Sequence, residues 1–267
     1  MIQYKSRNLT VFQSSLYMTT SAIIHTDEVI IMTDPNWLPN EVERIRNYVN
    51  SIKGDKQLYI IYTHSDYDHV IGSGAFPDAK VIATEELKNS SQKGEIVKKI
   101  HAFDQGYYLH RNYEPEYPSV DIAVANDGET LNLGTISLTF YKAPGHTKDG
   151  LFTVIEPYGI FLTGDYLSDI EFPFIFSSYK DYIKTMKKAE EILRIHNIKV
   201  HVPGHGTTTE EPTEIRNRID FSKFYLKELK KDGEALENLC LKKYPFYEGM
   251  KNIHFDNIKM ANNGEKI

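Results

Sequence analysis

Residues 63–69 concentrate side chains that can bind a metal ion. The segment reads Thr-His-Ser-Asp-Tyr-Asp-His, so that His64, Asp66, Asp68 and His69 are all potential ligands. Imidazole nitrogens together with carboxylate oxygens suit zinc, iron or manganese. The segment contains no lysine or arginine, and its two carboxylates would repel each other unless a cation lay between them. We therefore predict a metal site here, with a plain polar loop as the alternative.

Three later segments each place a histidine or an aspartate beside glycine, just after a stretch that is predicted to be a strand. They are Gly145-His146-Thr147, Gly164-Asp165 and Gly204-His205-Gly206. Glycine permits the close backbone approach and the unusual dihedral angles that such a corner needs. A single Gly-His pair is typical of an ordinary turn. Several strand ends of this type in one chain are difficult to explain as separate turns, and we group them with residues 63–69.

The order and spacing of these motifs resemble those of the metallo-β-lactamase superfamily. His64-x-Asp66-x-Asp68-His69 comes first, followed by Gly145-His146-Thr147, Gly164-Asp165 and Gly204-His205-Gly206. The resemblance extends over residues 9–210 or so, and it is specific for the fold but not for the substrate. The fold that it implies is α/β, a four-layer αβ/βα sandwich with two mixed β-sheets, outer helices and metal ions at one edge.

For the metal site, the resemblance implies a dinuclear centre. Two divalent ions would be bound by His64, Asp66 and His146 on the first ion, Asp68, His69 and His205 on the second, and Asp165 as a bridge. Asp68 and Asp165 would also be catalytic, because either could pass a proton onward. Zinc is the expected metal, and manganese or iron are the alternatives.

Asp66 departs from the usual pattern of the superfamily, which has histidine at this position. A carboxylate makes the first site harder, and hard oxygen ligands favour manganese or iron relative to an all-imidazole site. The position also resembles that of the flavodiiron branch of the superfamily, which has a glutamate there and a di-iron centre. Asp66 therefore affects the expected metal more than the expected hydrolysis.

The predicted function is that of a metal-dependent hydrolase. In this hypothesis a hydroxide between the two ions attacks an ester-like bond of a small molecule, in a lactone, thioester, β-lactam or phosphodiester. One alternative is a di-iron redox enzyme related to flavodiiron proteins. The other is a non-catalytic binding protein on the same fold.

The elements that must position these residues can be predicted from apolar periodicity. Strands are expected at Leu9–Gln13, Tyr17–His25, Val29–Thr33, Leu58–Tyr62, Lys80–Ala83, Ser137–Lys142, Leu151–Ile155, Gly159–Thr163 and Val200–Val202. Helices are expected from Pro39 to the glycine at 54 and over Tyr179–His196. We expect one domain over residues 1–267, with a helical C-terminal extension at about 211–267.

Several aromatic segments could complete the site. Residues 103–119 are rich in tyrosine and are predicted to be a functional loop, which could close over the site. The C-terminal tail with His254 is a second candidate for such a lid. Tyr67 and Tyr166 flank candidate ligands and could donate a hydrogen bond to an oxyanion. Residues 171–176 are strongly apolar and are expected either to pack in a core or dimer contact or to form a wall of the substrate pocket.

Composition narrows the class of protein. The chain has 31 lysines and arginines against 37 acidic residues, a net charge of −6, which disfavours binding to nucleic acid. Its single cysteine, Cys240, requires no oxidising compartment. We find no secretory signal and no stretch long enough to span a membrane, so we expect a cytoplasmic protein without a membrane partner. The expected partner is a small-molecule substrate, and a homodimer is possible.

Overall fold

The computed structural model describes residues 1–231 and 233–263. Within this part of the chain, two mixed β-sheets of seven and five strands are accompanied by α-helices. The chain divides into two compact units, with the boundary between Phe140 and Tyr141. No helix in the described ranges is long and apolar enough to cross a lipid bilayer.

The first unit is built around the seven-stranded sheet. The strands of the first unit, β1 to β9, are Ile2–Lys5, Leu9–Gln13, Thr20–His25, Val29–Thr33, Gln57–Ile61, Lys80–Thr84, Ile122–Val124, Glu129–Leu133 and Ile136–Lys142. The first seven of them form the seven-stranded sheet, and β9 ends in the second unit. The helices of the first unit, α1 to α4, are Pro39–Lys53, Tyr67–Val70, Glu85–Lys88 and Lys93–Gly106. Strands β1 to β4 pair in antiparallel fashion, and β4 to β7 pair in parallel.

The parallel part of this sheet positions the first group of candidate ligands. Strand β4 is buried along its whole length, as expected for a central strand covered on both faces. Thr33 at its end pairs with Ile61 at the end of β5. The segments that follow the two strands, from residues 34 and 62 onward, therefore begin at the same edge of the sheet.

In its described residues, the second unit combines three complete strands with four helices. Strands β10 to β12 are Leu151–Glu156, Ile160–Leu162 and Val200–Val202, and helices α5 to α8 are Tyr179–Ile195, Pro212–Glu228, Gly233–Lys243 and Tyr247–Asn263. Strand β11 is antiparallel to β10 and parallel to β12. Leu162 pairs with Val202, so the segments leading to Asp165 and His205 leave the sheet at one edge.

The predicted strands agree with the structure where the strand is mostly buried, and they differ where the adjoining backbone is irregular. The strands at Leu9–Gln13 and Val29–Thr33 are confirmed residue for residue. The strand predicted from Tyr17 begins only at Thr20, because Tyr17 and Met18 both have φ of 50°, outside the strand region.

The predicted irregular loop at 103–119 is also partly wrong. Its first residues belong to α4, which ends at Gly106. Beyond the helix, Arg111 fastens the loop by a bidentate contact to Asp104 at 2.7 and 2.8 Å and a hydrogen bond to the carbonyl of Trp37.

Helices α6, α7 and α8 lie within the extension that was predicted from about residue 211. Residues 232 and 264–267 of that prediction lie outside the described residues. The single domain over 1–267 stays a prediction.

Candidate metal centre

The first group of candidate ligands lies in the turn that follows β5. His64 and His69 are buried, and their ring centroids are 4.1 Å apart. Asp66 stands at the N-terminal boundary of the short helix α2, which contains Asp68 and His69. His64 Nε2 lies 3.7 Å from Asp66 Oδ2, and His69 Nε2 lies 3.3 Å from Asp68 Oδ2. The four predicted ligands of this segment are therefore brought together.

A buried aspartate that the sequence analysis missed supports this turn from behind. Asp34 follows β4 and is 1% exposed. Its carboxylate accepts hydrogen bonds from the backbone N–H and the hydroxyl of Thr63, at 2.9 and 2.6 Å, and from His69 Nδ1 at 3.0 Å. The Thr63 hydroxyl also lies 3.1 Å from His64 Nδ1. Asp34 thus orients both imidazoles, one directly and one through Thr63.

The second group of candidate ligands centres on one carboxylate of the second unit. Asp165 Oδ2 lies 3.2 Å from His146 Nε2, and Asp165 Oδ1 lies 3.3 Å from His205 Nε2. Each oxygen therefore faces a different imidazole. Gly204 is needed for this arrangement, since a Cβ atom at that position would collide with Asp165 Oδ1. A carboxylate of this kind can bind two ions, one through each oxygen.

A backbone carbonyl and a tyrosine hydroxyl hold His146 in place. Its Nδ1 donates to the carbonyl of Phe174 at 2.9 Å, and its backbone N–H donates to the Tyr166 hydroxyl at 2.8 Å. That hydroxyl in turn donates to the carbonyl of Ala143, and burial raises the pKa of Tyr166 above its usual value. Tyr166 is therefore engaged with the backbone of the ligand loop, which corrects the prediction that it faces an oxyanion.

The chemistry of the donor atoms fits a divalent metal. Asp34 and the Phe174 carbonyl only accept hydrogen bonds, so Nδ1 of His69 and His146 carries the proton and Nε2 of the neutral ring presents a lone pair. This arrangement, with Nδ1–H held by an acceptor, is usual for histidines that bind metal through Nε2. His205 Nδ1 lies 3.8 Å from Glu171 Oε1, which is longer than a hydrogen bond.

The distances between the donor atoms point the same way. The four Nε2–carboxylate separations run from 3.2 to 3.7 Å. Charge-assisted N–H···O bonds are shorter, at about 2.7–2.9 Å. Two ligands of one tetrahedral ion, each about 2.0–2.1 Å from it, lie about 3.3 Å apart. The separations of these pairs are therefore close to that of two ligands around one ion.

All seven predicted ligands are among the histidine and aspartate side chains whose arrangement could hold a metal ion. Which ion each of them binds stays a prediction, as do the catalytic roles of Asp68 and Asp165. Tyr67 lies half-buried against Trp37 and Phe103, with ring centroids 5.7 and 6.1 Å away.

The other aromatic side chains that were expected to close or line the site differ in their burial. His254 is fully buried, which excludes it as a surface group of a lid. Phe172 and Ile175 are buried in the core, as one of the two expectations for residues 171–176 required. Phe176 differs, because it is 42% exposed and its ring centroid lies 5.0 Å from that of His146.

The sequence of this chain is similar to those of several known proteins. A metallo-β-lactamase type 2 from Bacillus sp. (strain 170) is 22% identical over 201 residues, which are 74% of this chain and 70% of the relative. A coenzyme F420H2 oxidase from Methanocaldococcus jannaschii is 25% identical over 189 residues, and the match covers 58% of this chain and 40% of the oxidase.

Among solved structures, a metallo-β-lactamase family protein from Thermus thermophilus superposes with a TM-score of 0.63 at 16% identity, over 95% of this chain and 90% of that one. This likeness confirms the predicted fold. The family model of the metallo-β-lactamase superfamily matches residues 18–209, which contain all seven candidate ligands. With most of its length matched, the chain belongs to the metallo-β-lactamase superfamily.

Proposed function

We propose that this protein is a metal-dependent hydrolase with two divalent ions at its active site. The observation that carries the proposal is the repeated pairing of a histidine Nε2 with a carboxylate oxygen at 3.2–3.7 Å. The Nδ1 atoms of His69 and His146 are meanwhile bound to acceptors. Membership of a superfamily whose members bind divalent metals supports the same reading.

Both groups of ligands are needed for the proposed centre. A zinc ion takes four ligands in a closed site, and in a catalytic site one of the four is water. We assign His64, Asp66 and His146 to the first ion, Asp68, His69 and His205 to the second, and Asp165 to both. Three carboxylates against two divalent ions leave a net charge of +1, which a hydroxide would neutralise.

Two such ions, when bound, would supply a water-derived nucleophile at neutral pH and an electrophile for the substrate oxygen. The chain's own residues would do the rest. Asp68 would take a proton as the nucleophile forms and would return it to the leaving group. Asp34 accepts the hydrogen bond of His69 Nδ1, which leaves Nε2 as the nitrogen that can bind an ion. The substrate class that we propose is a small molecule with a lactone, thioester, β-lactam or phosphodiester bond.

The first test is the metal content of protein purified without added metal or chelator. We expect about two equivalents of zinc or manganese per chain and turnover in a panel of esters, lactones and phosphodiesters. His64→Ala and Asp165→Ala should lose metal and turnover together. His101→Ala, at an exposed histidine, is the matched control and should keep both. Metal-free protein that takes up none on reconstitution, or unchanged turnover in both ligand variants, would contradict the proposal.

A di-iron redox enzyme is the second candidate, and Asp66 is the observation that favours it. Its carboxylate faces His64 Nε2 at 3.7 Å, and hard oxygen ligands favour iron or manganese over zinc. Two equivalents of iron together with consumption of oxygen would support this candidate. Asp66→His should then shift the preference towards zinc, whereas an unchanged preference would show that Asp66 does not set it.

A further inference from the structure

A short segment between Asp165 and α5 links the candidate metal ligand His146 to the C-terminal helices. In this segment, residues 172–176, the carbonyl of Phe174 accepts the hydrogen bond from His146 Nδ1. The backbone N–H of Phe176 also donates to the carbonyl of His146 at 3.0 Å. The position of the segment therefore determines where the imidazole can lie.

The segment is itself held by one side chain of α8. Asn257 Nδ2 donates to the carbonyl of Pro173 at 2.6 Å, and Asn257 Oδ1 accepts from the backbone N–H of Ile175 at 3.0 Å. These two peptide groups flank Phe174 on either side. A single amide thus fixes the backbone around the carbonyl that His146 uses.

Asn257 cannot turn round without loss, because its surroundings distinguish its oxygen from its nitrogen. Nδ2 makes a second hydrogen bond to the Tyr225 hydroxyl at 3.0 Å, and that hydroxyl lies 2.9 Å from His254 Nδ1. Asn257, Tyr225 and His254 are all fully buried. A rotated amide would face the Ile175 N–H with its own donor and the Pro173 carbonyl with its own oxygen, which is costly in a dry interior.

We propose that Asn257 is a positioning residue for the metal ligand His146, acting through the Pro173–Ile175 backbone. The inference rests on the proposed metal centre, and it extends that centre to the C-terminal helix. When Asn257 is lost, the Phe174 carbonyl is no longer fixed. His146 then loses the acceptor that holds its Nδ1 proton, and its Nε2 is aimed less accurately at the ion.

The test compares variants of the full-length chain that differ at this amide. Asn257→Leu keeps the branched shape and the number of side-chain heavy atoms, and it removes the hydrogen bonds to Pro173, Ile175 and Tyr225. Asn257→Asp keeps the acceptor for Ile175 but places a carboxylate against the Pro173 carbonyl. Tyr225→Phe keeps the aromatic ring and removes only the hydroxyl that orients Asn257, so it serves if the substitutions at 257 fail to fold. Met260→Ala is the matched control, since Met260 packs in the same core on the same helix.

Two readouts separate positioning from simple packing. The first is the affinity for Co²⁺ or Zn²⁺, measured by competition with a chelator, together with the visible spectrum of the Co²⁺ form. The second is the exchange rate of the His146 Nδ1 proton with solvent, measured by NMR on ¹⁵N-histidine protein with and without Zn²⁺. Loss of an outer partner of a metal-binding histidine lowers affinity by about 10-fold or more, which is the effect expected for Asn257→Leu, with faster proton exchange.

Tyr225→Phe should move both readouts in the same direction by a smaller factor, and Met260→Ala should lower the melting temperature while leaving both unchanged. Wild-type affinity and wild-type exchange in Asn257→Leu would overturn the inference and leave Asn257 a packing residue. A wild-type chain that binds neither ion would overturn the proposed function. The proton exchange measured without metal would still decide whether Asn257 positions His146.

Discussion

In a metal-binding histidine, one ring nitrogen binds the ion, and the hydrogen bond made by the other nitrogen fixes the orientation of the ring. Asp34 takes this role for His69, and Asp34→Asn tests it. An asparagine can still accept from the Thr63 N–H, but its amide donors would then face the Thr63 hydroxyl and His69 Nδ1. We expect metal affinity to fall by about 10- to 100-fold, measured by competition with a chelator.

Asp104→Asn provides the control for Asp34→Asn. Asp104 is also a buried carboxylate of the first unit, but its partner is Arg111 rather than a candidate ligand. Its substitution should cost stability and leave metal affinity unchanged. Equal losses of affinity in the two variants would mean that general destabilisation, not orientation of His69, explains the effect.

At this scale the sequence indicates the candidate ligands but not the residues that support them. His64, His146 and the other candidates can be proposed because residue type and spacing are properties of a local segment. Asp34 lies 35 residues before His69 and follows an ordinary apolar strand. Its role depends on the pairing of β4 with β5, which a local sequence motif does not indicate. Asn257, 111 residues beyond His146, escaped prediction for the same reason.

Among the elements, the loop that carries His146 depends on close contact with α5. Gly145 has φ of 133°, and a Cβ atom there would collide with the backbone of Tyr182 in that helix. Gly145→Ala must therefore both strain the loop and push it off the helix. We expect a loss of about 2 kcal/mol or more in the free energy of unfolding, measured by urea denaturation.

Gly94→Ala is the matched substitution with the opposite expected sign. Gly94 lies in the first turn of α4, and a Cβ atom there meets nothing within 4 Å. Alanine should stabilise the chain by about 0.5–1 kcal/mol, because it restricts the unfolded backbone. Stability unchanged in Gly145→Ala would show that the loop can move away from α5 at little cost.

The elements themselves were predictable where burial imposes a pattern. Strand β4 is buried throughout, and its apolar run predicted both of its ends. Strand β1, Ile2–Lys5, was missed because it is an edge strand whose residues are exposed or half-buried, so its sequence carries no apolar run. The error at the start of β3 has a different cause. Aromatic residues favour strands, but the positive φ at Tyr17 and Met18 prevents these residues from joining the strand.

For the whole molecule, the stability of the folded chain should depend on a histidine outside the metal centre. His201 lies in β12, is fully buried, and has Nε2 at 2.9 Å from the Thr163 hydroxyl. Burial, and to a smaller extent the charge of Arg218, hold the pKa of His201 well below its usual value of 6.5. The folded chain therefore keeps this ring neutral under conditions in which the unfolded chain protonates it.

The sign of the pH dependence follows from this difference. Above pH 6.5 neither state binds the proton, and the histidine adds no pH dependence. Below it the unfolded state binds about one proton more, so stability falls by about 1.4 kcal/mol per pH unit until the folded pKa is reached.

We expect His201→Gln to show a shallower loss of stability between pH 6.5 and pH 5 than the wild type, measured by urea denaturation at each pH. His101→Gln, at an exposed histidine, is the control and should keep the wild-type slope. Because protonation of the metal ligands affects all three proteins alike, it cancels in the comparison, and identical slopes in His201→Gln and wild type would mean that the buried ring does not link folding to pH.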